Sequence, residues 1–498
     1  MVYDKLPKMP ESEIEVWRLD QRINDRGVAV DRASCEGIKK AVNLYVEQLS
    51  KHAIEITGGT VTSMKSPSSI LSWLQERGID TDSIDKEAVN FLLTLELPDD
   101  VREFLEIRQK TGKSSVAKYD ALLNYSVYDG RARGLFTYHV ATTGRFGGNG
   151  PQLQNLPRPS EKNFVKCGED DNRKEVHAEI EDAPLLASCD FNFVEMYWKD
   201  PMILAADLIR PMMKAESGKQ FICADYSAVE GRGLAWVAGQ GDKVEAFRKG
   251  LDIYKVAASG VYKIPYEQVD GGGKGTQRQI GKTCELALGY GGGWGAMTRF
   301  GADKLGLSEE EGKEIVKAWR QANDKIVKFW YALRDASIDA MKFSGDRIKV
   351  GKLSFRKRGS FLTMRLPSGR DLFYPNASLE MCDMPWIDDN TGEPAKQKLV
   401  TAMTLTAAKQ WVRRPLSHVT LTENCVQAFC RDLLCCGLKN LEAEGYPIVM
   451  HIHDEAVAEV PKGYGSLGEF ENLLAKLPEW AEGLPLRAEG WVGPCYRK

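Results

Sequence analysis

The sequence has 11 cysteines but no C-x-x-C pair, and their odd number and wide scatter exclude both a zinc ribbon and a disulfide framework. Reduced thiols of a cytoplasmic protein fit that pattern. No run of about 18 apolar residues occurs, and the start, MVYDKLPKMPESEIEVW, lacks a basic region followed by an apolar stretch, so neither membrane spanning nor export is expected. There is no excess of either charge: 67 Lys plus Arg stand against 70 Asp plus Glu, a net charge of -3. That balance excludes a polybasic binder that holds its partner by bulk charge, though not a local basic groove. Repeats of about 20–50 residues and low-complexity tracts are also missing. What remains is an ordinary globular composition, 43% hydrophobic and 28% charged, which rules out disorder and collagen-like structure.

At about 150 residues per domain, 498 residues make two to four compact units. Apolar residues fall at helical spacing at Ile14, Trp17, Leu19 and Ile23, and again at Ile38, Val42, Tyr45, Val46 and Leu49, giving two helices around Arg26-Gly27-Val28. Further helices are expected at Ser68–Arg77 and Lys86–Lys110, broken by Gly78 and Pro98. Residues 1–125 therefore read as mainly helical, and Lys110, Lys113 and Lys118 near their end have a plain reading as a solvated face. The segment TTGRFGGNGPQLQNLPRPS is irregular backbone, either a linker or a built loop. Residues 161–185 carry eight acids against four bases and read as a surface insertion, whereas 342–370 carry nine bases and one acid, interleaved with Phe343, Leu353, Phe355, Phe361 and Leu366 in short strand-like runs. That second stretch is a candidate nucleic-acid face.

Three segments carry chemistry. Phe221-Ile222-Cys223-Ala224 predicts a buried strand ending at Asp225, followed by a helix that Ser227 could cap. Pro447 to His453 predicts a second strand, Asp454-Glu455 a tight turn, and Ala456 to Val460 the return strand. Each acid alone reads as a cap or a solvated turn. Two strand-end carboxylates together suit a pair of divalent cations ~3.5–4 Å apart, which need hard oxygen ligands on rigid elements. Between them, Arg278, Lys282, Leu286 and Tyr290 recur every four residues, a stripe drifting about 40° per step on a helix. Two cations, an apolar side chain and a ring in that order match a triphosphate, a base and a stacking surface. An amphipathic helix with snorkelling bases is the plainer alternative.

Taken together the three segments resemble motifs A, B and C of family A DNA polymerases, the bacterial polymerase I group in a phage-like branch. Asp225 to Arg232 is similar to D-Y-S-x-x-E-x-R, Arg278 to Gly291 to R-x-x-x-K-x-x-x-x-x-x-x-Y-G, and His453-Asp454-Glu455 to H-D-E. Thr143-Gly144-Arg145 through Pro157 resembles the family's T-G-R…P-N-L-Q-N-I-P stretch, and Glu423 to Leu433 its helix before motif C. The resemblance runs over roughly residues 13–498. It implies an α+β (mixed) fold, the right hand of palm, fingers and thumb: a lead-in at 1–30 packing on the palm, a helical thumb at 31–125, a first palm part at 126–232, fingers at 233–335 and a second palm part at 336–498.

The same resemblance implies the chemistry and its residues. Asp225, Asp454 and the Tyr226 carbonyl hold two Mg²⁺, with Mn²⁺ as a substitute. Arg278 and Lys282 bind the triphosphate, and Lys282 also protonates pyrophosphate. Glu230 is the gate against a ribose 2′-hydroxyl, Leu286 and Tyr290 face the nascent pair, and Tyr254 stands where His commonly contacts phosphate. Arg145, Gln154, Asn155, Gln427, His453, Lys110, Lys113 and Lys118 approach DNA, and Glu455 supports the site. Leu286 departs from the family's usual Phe or Tyr, as Ala228 and Gly231 depart from its usual residues, so dideoxynucleotide acceptance and fidelity are not implied. The expected enzyme is a template-directed DNA polymerase acting on primer-template DNA and dNTPs, a monomer in the cytoplasm of a bacterial cell or phage-infected host. No 3′–5′ exonuclease is expected: the D-x-E at Asp85-Lys86-Glu87 has a polar flank that reads as a helix start. The rival readings are a single-subunit RNA polymerase and a catalytically silent DNA-binding accessory protein on the same fold.

Overall fold

The apolar run before Asp225 folds as the strand Lys219–Tyr226, and its residues Phe221 to Ala224 are buried on both faces. In a computed structural model describing residues 8–112, 116–158, 164–166, 173–175, 178–198, 200–271, 276–343, 345–387, 391–406 and 408–497, this strand is an inner member of a four-stranded antiparallel sheet. The order is Ile448–Ile452, Glu455–Pro461, Lys219–Tyr226, Ala488–Gly493. Segments distant in sequence thus meet edge to edge, and the helix Leu467–Leu474 packs on the sheet and on the long helix His418–Ala443.

The N-terminal helix Glu11–Arg26 is tied to that framework by charge. Arg26 pairs with Glu442 at 2.7 Å, and Arg431 with Glu13 at 2.8 Å. Gly27 follows with φ +60°, where a Cβ would fall 2.3 Å from the Ala132 carbonyl oxygen, so the chain can turn there only as glycine. It enters the strand Val28–Val30, held between Arg131–Ala132 and Met213–Lys214. Asp31 then caps the 25-residue helix Arg32–Ile56, accepting from Ser34 N–H at 3.1 Å. This helix bridges two cores. Ile38, Val42 and Tyr45 join the main one, while Ala53 belongs to a separate cluster with Ile70, Trp73, Leu74, Phe104 and Leu105. Helices Pro67–Glu76, Lys86–Leu92 and Asp99–Thr111 build that second core, and Asp85 is an N-cap accepting from Glu87 and Ala88 N–H, as its polar flank indicates.

The described residues between 229 and 342 form helices joined by turns, and one crossing among them is set by a glycine. A Cβ on Gly281 of the helix Gln277–Leu288 would lie 2.1 Å from the Tyr254 carbonyl oxygen on the helix Ile253–Tyr262. The basic stretch forms an antiparallel meander of Ile348–Val350, Leu353–Arg358, Phe361–Arg365 and Asp371–Tyr374, followed by a three-stranded sheet of Ser378–Ile387, Pro394–Leu405 and Trp411–Pro415. Residues 161–163, 167–172, 176 and 177 of the acidic stretch lie outside the described residues; within it Phe164–Lys166 pairs with Arg173–Glu175. Among the described residues no helix is long and apolar enough to cross a membrane.

Candidate active site

The register of the central sheet sets Glu455 opposite Asp225, and the Tyr226 N–H donates to the Asp454 carbonyl at 3.2 Å. Asp225 and Asp454 therefore stand at the same end of neighbouring strands, partly exposed, on the wall of a cavity of about 580 Å³. The turn differs from the expected Asp454-Glu455. It consists of His453 and Asp454, because His453 takes the left-handed φ of +57° that lets a two-residue loop follow the strand twist. Glu455 instead opens the return strand and is buried. Its carboxylate is hydrogen-bonded to the Tyr496 hydroxyl, which accepts from Arg210 Nη1 at 3.0 Å. Arg210 also donates to the carbonyls of Pro157 and Leu156 at 2.8 and 3.2 Å, which couples Glu455 to the Gly/Pro loop.

Ser227 does not cap the helix after Asp225. The helix Val229–Ala238 begins from Ala228 at φ +50°, with no side-chain cap, because the Ser227 peptide is held elsewhere. Its N–H donates to the Arg487 carbonyl at 2.9 Å, and its carbonyl accepts from Arg232 Nε at 2.6 Å. Arg232 reaches the Pro485 carbonyl at 2.8 Å and lies over the Phe247 ring, so the chain leaves the strand through a fixed kink. That kink brings Glu230 into the cavity, where it accepts from the Tyr290 hydroxyl at 2.6 Å and pairs with Arg145. Burial and the Glu230 charge push the Tyr290 hydroxyl well above its ordinary range.

The predicted stripe is only partly helical. The helix carrying Arg278, Lys282 and Leu286 ends at Leu288, and Tyr290 sits on the following turn. Leu286, 48% exposed, and Tyr290 line the cavity; Arg278 and Lys282 do not line it but lie 5.3 and 6.0 Å from the ring centroid of Tyr254, which does. Arg278 donates to Asp252 at 2.6 Å. Burial alone would raise the Asp252 carboxyl, but bonds from Arg278 and from the N–H groups of Tyr254 and Lys255 hold it below its usual value.

The Gly/Pro segment is a built loop. Buried Arg431 donates to the Gly144 carbonyl at 3.0 Å and Arg370 to the Thr143 carbonyl at 2.8 Å, which fixes the backbone that aims Arg145. Arg370 is in turn held by Asp432 at 2.8 Å. Gln154 lines the cavity and its carbonyl lies 2.9 Å from His453 Nε2; Asn155 is exposed and donates to Gln152. Gln427 is half-buried and bonds Glu423 at 2.9 Å. Lys118 donates to the Pro151 carbonyl at 2.7 Å, and burial lowers its pKa, so it braces this loop; Lys110 is part-buried on its helix, and Lys113 lies outside the described residues. Two residues that pattern reasoning passed over also line the cavity. Lys243 and Glu285 form a buried pair at 2.6 Å, with Trp319 Nε1 donating to Glu285 at 3.0 Å and Lys243 reaching Asn323 at 3.2 Å. Their only sequence signal was the position of Glu285 beside Leu286.

Paired strand-end carboxylates on an antiparallel sheet share one cavity with the Glu230 carboxylate, apolar Leu286 and the Tyr290 ring, an arrangement that fits a nucleotidyltransferase of the polymerase class. Residues 201–341 match DNA polymerase family A. The chain is 36% identical, over 98% of its length and 71% of the relative's, to the DNA polymerase of Bacillus phage SP02. It is 33% identical over 22% of its length to 11% of DNA polymerase I of Chloroflexus aurantiacus. The polymerase domain of Pol1 from M. smegmatis, solved in complex with DNA primer-template and dNTP, superimposes with a TM-score of 0.60 at 19% identity, covering 97% of this chain and 70% of that one. The chain belongs to DNA polymerase family A; it is a DNA-directed DNA polymerase with the palm, fingers and thumb fold.

Proposed function

We propose that this cleft extends a primer 3′-hydroxyl with deoxynucleoside triphosphates on a DNA template, with Asp225 and Asp454 as the catalytic pair. The observation that carries the reading is the register placing both carboxylates at one sheet end inside the cavity. These are hard oxygen donors on rigid strands, and with the Tyr226 carbonyl they suit two Mg²⁺ ions or Mn²⁺. Such ions, when bound, favour hydroxyl attack and offset charge on the leaving pyrophosphate. Glu230, pinned by Tyr290 and Arg145, occupies the room a 2′-hydroxyl would need. Leu286 gives the base an apolar wall. Arg278 and Lys282 reach the triphosphate when the helix Gln277–Leu288 swings toward the palm, exchanging Asp252 for phosphate, and Lys282 is the proton donor to pyrophosphate. Arg145, Gln154, Asn155, Gln427 and His453 contact primer-template around the cleft, with Lys110, Lys113 and Lys118 nearer the thumb. The domain boundaries implied by the family hold in this reading, and the enzyme works as a monomer.

Primer extension tests it. Wild type extends a labelled primer with dNTPs and Mg²⁺, does so poorly with ribonucleotides alone, and leaves the labelled 3′ end undegraded without dNTPs. Efficient extension with ribonucleotides overturns the substrate reading, and stepwise 3′ degradation overturns the absence of exonuclease activity.

A further inference from the structure

The nine bases between 342 and 370 part company in the fold. Arg370 is used inside the protein on Asp432 and two carbonyls, Lys352 lies over the Trp236 ring at 4.6 Å, and Lys342 pairs with Asp339 at 3.2 Å. Four others gather on one surface of the meander. Lys349 pairs across to Ser354, Ser354 to Arg365, and Arg365 to Asp371; Arg356 pairs to Thr363 and Thr363 to Phe373; Arg358 pairs to Phe361. Side chains alternate along a strand, so all of these share the face turned away from buried Phe355, Met364 and Leu372. Lys349, Arg356, Arg358 and Arg365 therefore share one face with Asp371, which lies 3.3 Å from Arg358 and 3.6 Å from Arg365. Among them Phe361 and Phe373 remain 40% and 50% exposed, edge to face with centroids 6.0 Å apart.

A solvated charged face has no use for two open rings, and a patch for isolated phosphates needs cations alone. Cations and open rings side by side suit a ligand with a repeating anionic backbone and flat apolar faces free to stack, which is a single strand of nucleic acid; a duplex hides its base faces. A groove of about 830 Å³ is lined by Arg358, Arg365 and Phe373 and also by Lys439 and Trp480, and among the described residues only Arg431 lines both this groove and the active-site cavity. We propose that this face is a second DNA site that holds unpaired DNA outside the catalytic cleft. The observations behind it are independent of the roles given to the cleft residues.

The test first fills the cleft with a dideoxy-terminated hairpin primer-template and the next dNTP, then titrates fluorescein-labelled dT12 and follows anisotropy. The saturated wild type binds dT12 with an affinity that falls as salt rises. Phe361→Ala with Phe373→Ala weakens it roughly tenfold or more, as loss of base stacking predicts. Arg358→Glu, which keeps both rings, weakens it comparably, while single-nucleotide addition to a short hairpin stays at the wild-type rate in both variants. The proposal is overturned if the saturated enzyme does not bind dT12, if both variants bind it as wild type does, or if rU12 or a blunt duplex binds more tightly than dT12.

Discussion

At the scale of single residues, the cavity wall separates two kinds of charge. Glu230 is shared between Tyr290 and Arg145 and lines the cavity, and the role proposed for it is selection. Glu230→Ala should reduce discrimination between dNTP and rNTP, measured as the ratio of kcat/KM values, by roughly 10–200-fold, the range for a pocket relieved of one small clash; an unchanged ratio would show that the carboxylate does not bar the 2′-hydroxyl. Lys243 and Glu285 are different, since their side chains are only 7% and 11% exposed and each satisfies the other. Lys243→Met strands the Glu285 charge and should cost about 3–5 kcal/mol in denaturant unfolding. Adding Glu285→Leu should recover most of that loss, and a double variant no better than the single one would contradict the pairing.

Elements show what could be read from the chain and what could not. Apolar runs before Asp225 and Asp454 marked both strands, because a strand buried on each face is written as consecutive apolar residues. The turns between elements were less legible. Ser227 has the right chemistry for a cap, yet Arg487 and Arg232, remote or adjacent in sequence, take its peptide, and Ala228 adopts the left-handed backbone that glycine usually supplies. The hairpin slipped one residue from expectation for the same reason, His453 filling a left-handed position. The bond from Lys118 to the Pro151 carbonyl was not legible either, since the two are 33 positions apart. At the start of the long helix, His418 lies beside Tyr331, and burial followed by Arg334 and Arg320 lowers its pKa. A lowered folded pKa means that the unfolded chain takes up the proton first. Stability should therefore fall as pH drops below about 6.5 and keep falling to the folded value. Thermal melts between pH 7.5 and 5.5 should show a shallower loss in His418→Gln than in wild type, and identical slopes would contradict this.

On the scale of the whole molecule, a net charge of -3 is compatible with DNA work because charge is partitioned: acids at the Asp225 and Asp454 end of the central sheet, bases on the meander's outer face. The cores are partitioned as well, with Trp73 and Phe104 packed in a cluster separate from the one around the central sheet. Trp73→Ala should cost about 3–5 kcal/mol locally. Hydrogen exchange should then rise across residues 53–107 while the strand Lys219–Tyr226 stays protected; a uniform rise would mean the two cores unfold as one. The central claim is that Asp225 and Asp454 form one catalytic pair although their strands lie far apart in sequence. Single-turnover addition of one dNTP, measured for wild type, Asp225→Asn and Asp454→Asn at saturating primer-template, tests it most directly. Each variant should lose about 10³-fold or more in rate, several kcal/mol of transition-state stabilisation, while primer-template affinity stays near wild type; a near-normal rate in either variant would contradict the pairing.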